Sequence, residues 1–292
     1  FLLPGNAFGA SKRGMRFLLR DIIANKTLFQ RSDLPYVVMC GCNIIFNIDL
    51  AEIINAHERS GAHATMVYCR AEREHDEDVT ALEIGDAGRV HALHAGCSFG
   101  DNKFLDCCVI NRDVLLDIID NYQDVDHLDL FEAIEPEFGR IDVCSYEFKG
   151  LALGVFDEQS YYQRSMEMLR PDLNDRLFNP DRPIMTKAHD APPAKFCTGS
   201  TVCNSLVSAG CLIQGTVRGS ILARDVVVEH GASVSNSIIM QGCVIHSGAR
   251  VENAIVDKNN VIPAQTELRG TPDATLIIAK APLATKEITT LD

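Results

Sequence analysis

Positive charge is scarce in this sequence. Lys and Arg number 27 against 40 Asp and Glu in 292 residues, a formal charge of −13. A surplus of that size argues against a surface for nucleic acid or anionic membrane. Long apolar runs are missing as well: none reaches the roughly 18 residues that span a bilayer. Phe1-Leu2-Leu3-Pro4-Gly5 has neither the charged start nor the apolar core of a signal peptide. Among the 11 cysteines there is no Cys-x-x-Cys and no Cys pair followed by a spaced His pair, so a zinc site is not expected. An odd number of cysteines set in apolar runs fits reduced, buried thiols and a cytoplasmic protein. Hydrophobic residues make up 46% and charged residues 23%, which excludes wholesale disorder.

What is present falls into three parts. Residues 14–27 place Phe17, Leu18, Ile22 and Ile23 at helical spacing. Residues 33–41 form a nearly all-apolar strand, the pattern of a strand buried on both faces of a parallel sheet. A helix over 49–60 should stop at Gly61, and 64–69 is a second strand, so the order is strand–helix–strand. Residues 79–84 and 89–94 alternate like antiparallel strands around Gly85-Asp86-Ala87-Gly88. Further strands are expected over 104–110 and 141–148, and helices over 113–122 and 160–169. Five prolines then lie between Pro171 and Phe196, which suits an extended linker. The expected domains are therefore 1–170, a partial Rossmann-like α/β domain; 171–199, the linker; and 200–292.

The last part is repetitive. Segments 204–217, 219–234, 236–251 and 253–268 start 15, 17 and 17 residues apart. In each, an aliphatic residue recurs about every six positions with Gly, Asn or Asp between. This is the pattern of a parallel β-helix, whose coils stack aliphatics inward and turn on small residues.

The residues also carry a family resemblance. Asp181-Arg-Pro-Ile-Met-Thr186 and Ala191-Pro-Pro-Ala-Lys-Phe196 resemble the connector of bacterial glucose-1-phosphate adenylyltransferases, the ADP-glucose pyrophosphorylases. Asn204-Ser-Leu-Val-Ser-Ala-Gly-Cys211 and Val256-Asp-Lys-Asn-Asn-Val-Ile-Pro263 are similar to that family's left-handed β-helix of hexapeptide repeats. The resemblance implies an α/β nucleotidyltransferase fold followed by that β-helix. It also implies a reaction joining ATP and glucose 1-phosphate into ADP-glucose and pyrophosphate for glycogen synthesis. Such chemistry needs Mg²⁺ to gather phosphate charge and a Gly-rich, basic loop to cradle the triphosphate.

Those parts are not where the family has them. The Gly-Gly-x-Gly-x-Arg loop is absent; Gly5 to Gly14 is Gly-rich without matching it, and the resemblance implies that the phosphate-loop region precedes this chain. The family's first metal position falls at Asn43 and its second at Gly154. Its sugar-phosphate positions fall at His94, Ala95 and Phe104. The resemblance is therefore closest to the family's GlgD-type, non-catalytic subunit. It implies no catalytic residue, metal or cofactor in this chain, Mg²⁺ in a catalytic partner subunit, a hetero-oligomer with that partner, and no nucleic acid or membrane. Lys187, Lys195, Arg218, Arg224 and Arg250 are candidates for an effector site.

Two other functions stay open at this stage. An active sugar-phosphate nucleotidyltransferase would need substitute acids, and Asp49 and Asp157 are nearest, although each also suits a helix N-cap. A hexapeptide acyltransferase would use a β-helix histidine as general base, with His230 and His246 as the candidates.

Overall fold

The computed structural model describes residues 17–72, 76–122, 129–186 and 190–280. The chain divides between Gly154 and Val155 into two compact units. In the first, helices α1 (Leu19–Ala24) and α2 (Lys26–Arg31) precede strands β1 (Tyr36–Cys40) and β2 (Ile44–Phe46). Then come α3 (Leu50–Ser60), β3 (Ala64–Arg70), β4 (Asp76–Ile84), β5 (Val90–Cys97) and β6 (Asn102–Asn111). Helices α4 (Arg112–Asn121) and α5 (Leu130–Ile134) and strands β7 (Val143–Glu147) and β8 (Ala152–Gly154) complete the unit. The expected helix over 14–27 is broken at Asn25, whose φ of −103° and ψ of 10° separate α1 from α2; residues 14–16 lie outside the described residues.

Strand β6 organises a six-stranded sheet. It pairs with β3 along one edge and with β1 and, at Ala81, the middle of β4 along the other; β7 lies outside β3 and β5 outside β4. The hairpin expected from the Gly85–Gly88 turn is β4–β5. The expectation of a doubly buried parallel strand over 33–41 is corrected. Strand β1 runs antiparallel to β6 at a sheet edge, and none of its residues is fully buried. Its apolar run has a different cause. Val37 and Met39 pack into the main core, while the Tyr36 ring meets His57 on the opposite face at 4.9 Å. Both faces are covered and the edge is open. Since β1 and β3 are each antiparallel to β6, they are parallel to each other, and α3 crosses between them.

The helices take opposite faces of the sheet. Leu19 and Ile22 of α1, Leu115, Ile118 and Ile119 of α4, and Leu130, Phe131 and Ile134 of α5 bury against Met66, Tyr68, Phe104, Cys108 and Ile110. Helix α3 covers the other face with Ile53 and His57. His57 is buried because both ring nitrogens are satisfied, Nδ1 by the Thr65 hydroxyl at 2.8 Å and Nε2 by Asn111 Oδ1 at 2.9 Å. Asp129 knits α5 to the chain before α1. Its carboxylate accepts the Phe131 and Phe17 N–H groups at 2.9 and 2.7 Å, and Glu132 closes a capping box.

The second unit opens with α6 (Glu158–Glu167) and α7 (Pro171–Leu177). The boundary expected at 170 and the linker expected over 171–199 are thereby changed. Pro171 sits in the first turn of α7, where its missing N–H costs nothing, and Lys195–Phe196 is already a strand paired with Leu212–Ile213. Helix α6 belongs with the repeats: Tyr162 packs on Ile238 and Ile255, and its hydroxyl donates to the Asn236 carbonyl at 2.7 Å.

The repeats form a parallel β-helix of three five-stranded sheets. In one sheet Thr201, Thr216, Ser233, Arg250 and Glu267 stand in register, so successive coils advance by 15, 17, 17 and 17 residues. Residues Ile213, Val228 and Ile245 of one sheet, Val217, Val234 and Val251 of the next, and Leu222, Ile239 and Val256 of the third fill the interior. The turn chemistry of the sequence has a backbone cause. Asn204, Gly219, Asn236 and Asn253 occupy one corner column with φ between 45° and 53°, and Gly210, Asp225, Gly242 and Asn259 another with φ between 60° and 79°. Left-handed backbone is tolerated best by Gly, Asn and Asp. Behind the first column the Ser220 and Ser237 hydroxyls accept the N–H of Ser237 and Ala254, each at 3.1 Å, which satisfies backbone inside a dry corner.

Candidate functional site

Strand β1 ends at Cys40, and Gly41-Cys42-Asn43 leads into β2. The β2–β8 ladder sets Gly154 opposite Ile44, so Asn43 and Gly154, the positions the resemblance pointed to for metal, come to lie beside each other in the fold. The chemistry there is neutral: an amide on one strand end and no side chain on the other. Among the described residues no three His, Cys, Asp or Glu side chains gather where they could hold a metal ion.

The two acids that could substitute are otherwise engaged. Asp49 caps α3, its Oδ1 accepting the Ala51 N–H at 2.8 Å. Asp157 caps α6, its Oδ1 accepting the Ser160 N–H at 2.7 Å while the Ser160 hydroxyl accepts the Asp157 N–H at 2.9 Å. Each carboxylate lies at the positive end of a helix dipole and holds an otherwise orphaned donor.

The sugar-phosphate positions separate. His94 and Ala95 on β5 line a groove of about 550 Å³ with Arg70, Glu83, Ser98 and Asn102. His94 Nε2 pairs there with Glu83 Oε2 at 2.9 Å, and Arg70 donates to the Gly100 carbonyl at 3.3 Å. Phe104 does not join them. It is 2% exposed and stacks edge-on against Phe131 at 4.9 Å in the core. Its position in the strand turns it toward α5, and a hydroxyl there would face apolar side chains.

The effector candidates do not converge either. Lys195 lies on the first sheet of the β-helix, Arg218 and Arg250 lie two coils apart on the second, and Arg224 sits at a corner. Lys187 and the Gly5–Gly14 segment lie outside the described residues. His246 and His230 differ in surroundings. His246 Nδ1 pairs with Glu229 Oε1 at 2.9 Å, and the Ser247 N–H and hydroxyl donate to Glu229 Oε2, both at 2.9 Å. Those bonds, His246's first, hold the Glu229 carboxyl below its ordinary range. The cluster staples two successive coils together. His230 is exposed at the neighbouring corner.

Sequence reasoning missed a feature at the end of β1. The cysteines are mostly buried, as expected, but Cys40, Cys42 and Cys203 are exposed. Cys40 stands directly across from buried Cys107. Beside them β6 bulges. Between Met66↔Cys108 and Tyr68↔Phe104 it carries two residues more than β3, and Asp106 takes a φ of 51°. Nothing in the alternation of residues 104–110 signals this, because every residue of the run except Asp106 is apolar.

A family model described as GlmU-like, C-terminal hexapeptide matches residues 192–274. The glycogen biosynthesis protein GlgD of Bacillus subtilis (strain 168) is 33% identical over 252 residues, covering 86% of this chain and 64% of that protein. GlgD of Geobacillus stearothermophilus is 30% identical over 206 residues, 70% of this chain and 51% of the relative. The chain is related to the GlgD proteins. A glucose-1-phosphate adenylyltransferase of Corynebacterium jeikeium (strain K411) is 28% identical over 250 residues, 77% of this chain and 62% of that enzyme. A match over 252 of the 292 residues takes in parts of both the α/β unit and the repeats. The chain spans between about half and two thirds of the length of these curated relatives. Among the described residues no helix is long and apolar enough to cross a membrane.

Proposed function

We propose that this chain is a non-catalytic subunit of an ADP-glucose pyrophosphorylase, acting in the cytoplasm in glycogen synthesis by modulating a catalytic partner. One observation carries the proposal. The β2–β8 ladder juxtaposes Asn43 and Gly154, and the two candidate substitute acids, Asp49 and Asp157, are helix caps. Mg²⁺ is a hard cation that takes carboxylate and phosphate oxygens. An amide oxygen and a glycine bring no negative charge, so the residues present do not suit it. On this reading the metal that stabilises phosphoryl charge and orients the attack belongs to the partner. The similarity to GlgD proteins, named for glycogen biosynthesis, supports the pathway.

The test is ADP-glucose synthesis by the full-length protein, alone and mixed with a catalytic subunit from the same cell. The expected result is silence alone and a changed rate or effector response in the mixture, with both chains in one peak on size-exclusion chromatography. Synthesis by the isolated protein at a rate near the partner's would overturn the proposal and return a carboxylate to the metal site.

A further inference from the structure

The end of β1 carries a chemistry that the nucleotidyltransferase reading does not use. In an antiparallel pair, hydrogen-bonded and non-hydrogen-bonded positions alternate. Two backbone bonds fix the phase here: the Gly41 N–H donates to the Asp106 carbonyl at 2.7 Å, and the Arg112 N–H to the Pro35 carbonyl at 2.8 Å. Odd positions of β1 are therefore bonded, and Cys40↔Cys107 is a non-hydrogen-bonded pair. Facing residues at such positions have Cα atoms roughly 4.5 Å apart, inside the roughly 4.4–6.8 Å window that a disulfide spans. Both side chains project to the face that α3 covers, since Met39 and Cys108, one residue away on each strand, pack into the opposite core. Each thiol shifts the other's titration, Cys40 downward and Cys107 upward, as side chains facing each other across a pair do.

We propose that Cys40 and Cys107 are an oxidation site that closes a reversible cross-strand disulfide between β1 and β6 in response to a hydroperoxide. Cys40, the exposed member, attacks the peroxide as its thiolate. The O–O bond breaks, Cys40 becomes a sulfenic acid and the distal oxygen leaves as alkoxide, or as hydroxide when the oxidant is hydrogen peroxide. The buried Cys107 then attacks the Cys40 sulfur. The S–S bond forms, the S–O bond breaks, and the Cys107 proton leaves with the hydroxyl as water. Two thiols are oxidised by two electrons and one peroxide is reduced. The roles follow from the surroundings. The hydrogen bond from Cys107 draws the Cys40 thiol below its ordinary range, against the opposing effects of burial and Asp106. The same bond and burial hold Cys107 protonated until it is needed. Cys108 is excluded as a partner because it lies on the other face, fully buried, its thiol pushed up to about 12 by desolvation first. Closure would tie the strand end that leads through Gly41 and Cys42 to Asn43. Gly41 already approaches β6 closely: a Cβ there would lie 2.9 Å from Asp106 Cβ.

The test is hydrogen peroxide treatment of the native full-length chain, alkylation of the remaining thiols, and non-reducing peptide mass spectrometry. The expected product is a cross-linked pair of peptides carrying Cys40 and Cys107, lighter by two hydrogens and separated by dithiothreitol. Cys42→Ser should leave its yield unchanged and Cys40→Ser should abolish it. Cys107→Ser should leave Cys40 as a sulfenic acid that dimedone labels. Because the wild-type cross-link is read directly, an unstable variant leaves the test intact. A disulfide joining Cys42 in place of Cys40 would overturn the proposal, and so would Cys40 passing to the sulfinic acid while Cys107 remains a free thiol.

Discussion

Single residues decide what this chain can do with charge. Asn43 differs from an acid only by an amide nitrogen in place of an oxygen, and it stands beside the β2–β8 ladder. We predict that Asn43→Asp raises Mn²⁺ affinity by about tenfold, a change of roughly 1.4 kcal/mol, without bringing ADP-glucose synthesis. Electron paramagnetic resonance of Mn²⁺ and the synthesis assay would read the two together. Glu229 is a second case. Its carboxyl titrates below the ordinary range because His246 and then Ser247 bond to it. A depressed folded value means that the carboxylate stabilises the fold fully above the unfolded carboxylate range and loses that contribution as pH falls through the folded value. Glu229→Gln should lower the melting temperature at neutral pH and flatten its fall in acid. Equal slopes for both proteins in a pH series of thermal melts would contradict this. These two sites differed in how far the sequence revealed them. Asn43 could be found because a family motif surrounds it. The Glu229–His246 pairing could not, because it links residues 17 apart that meet only when coils stack.

At the scale of elements, period was legible and register was not. The repeat offsets of 15, 17 and 17 residues reappear as strand pairings, because each coil must return its aliphatics to the same interior column. The short coil has a local cause. Between Leu212–Ile213 and Thr216–Arg218 the corner is only Gln214-Gly215. At Gly215 a Cβ would lie 2.3 Å from the Ala232 carbonyl and 2.7 Å from the Glu229 carbonyl. Backbone cannot yield as a side chain does, so Gly215→Ala should destabilise the β-helix by about 1–3 kcal/mol, measured by denaturant unfolding. A wild-type midpoint would show that the corner can open. In the α/β unit the elements were found but the placement of β1 was not. An all-apolar stretch says that both faces are covered; it does not say whether the neighbouring strand is parallel. That answer lay in β6, whose bulge and second edge recruit β1 and so bring Cys40 to Cys107. Helix α6 was likewise visible from its spacing, but its allegiance depends on Tyr162 reaching Ile238 and Ile255, some 76 and 93 residues on.

Among the described residues, two large hydrophobic cores share no member. One surrounds β6 and includes Leu19, Phe104, Leu115 and Ile134; the other is the aliphatic interior of the β-helix. Each has its own polar fastening. Asp129 holds two backbone N–H groups beside the first, and beside the β-helix the Tyr162 hydroxyl, packed on Ile238 and Ile255, holds the Asn236 carbonyl. Separate cores make separate cooperative units when neither supplies the other's buried contacts. Calorimetry of the chain should therefore resolve two transitions. Asp129→Ala removes an N-cap and leaves the Phe17 N–H without its acceptor, so it should lower one transition by about 1–2 kcal/mol. Tyr162→Phe removes a single hydrogen bond and should lower the other by about 1 kcal/mol. The decisive feature is independence: each substitution moves one transition and leaves the other in place. A single transition shifted by both would mean that the cores unfold as one, and the division at Gly154 would then describe geometry without describing stability. If the transitions are independent, a partner subunit can stabilise one unit by mass action while the other keeps its own midpoint. Adding the proposed catalytic partner to the same calorimetric experiment would then show whether it binds and, if it does, which unit it stabilises.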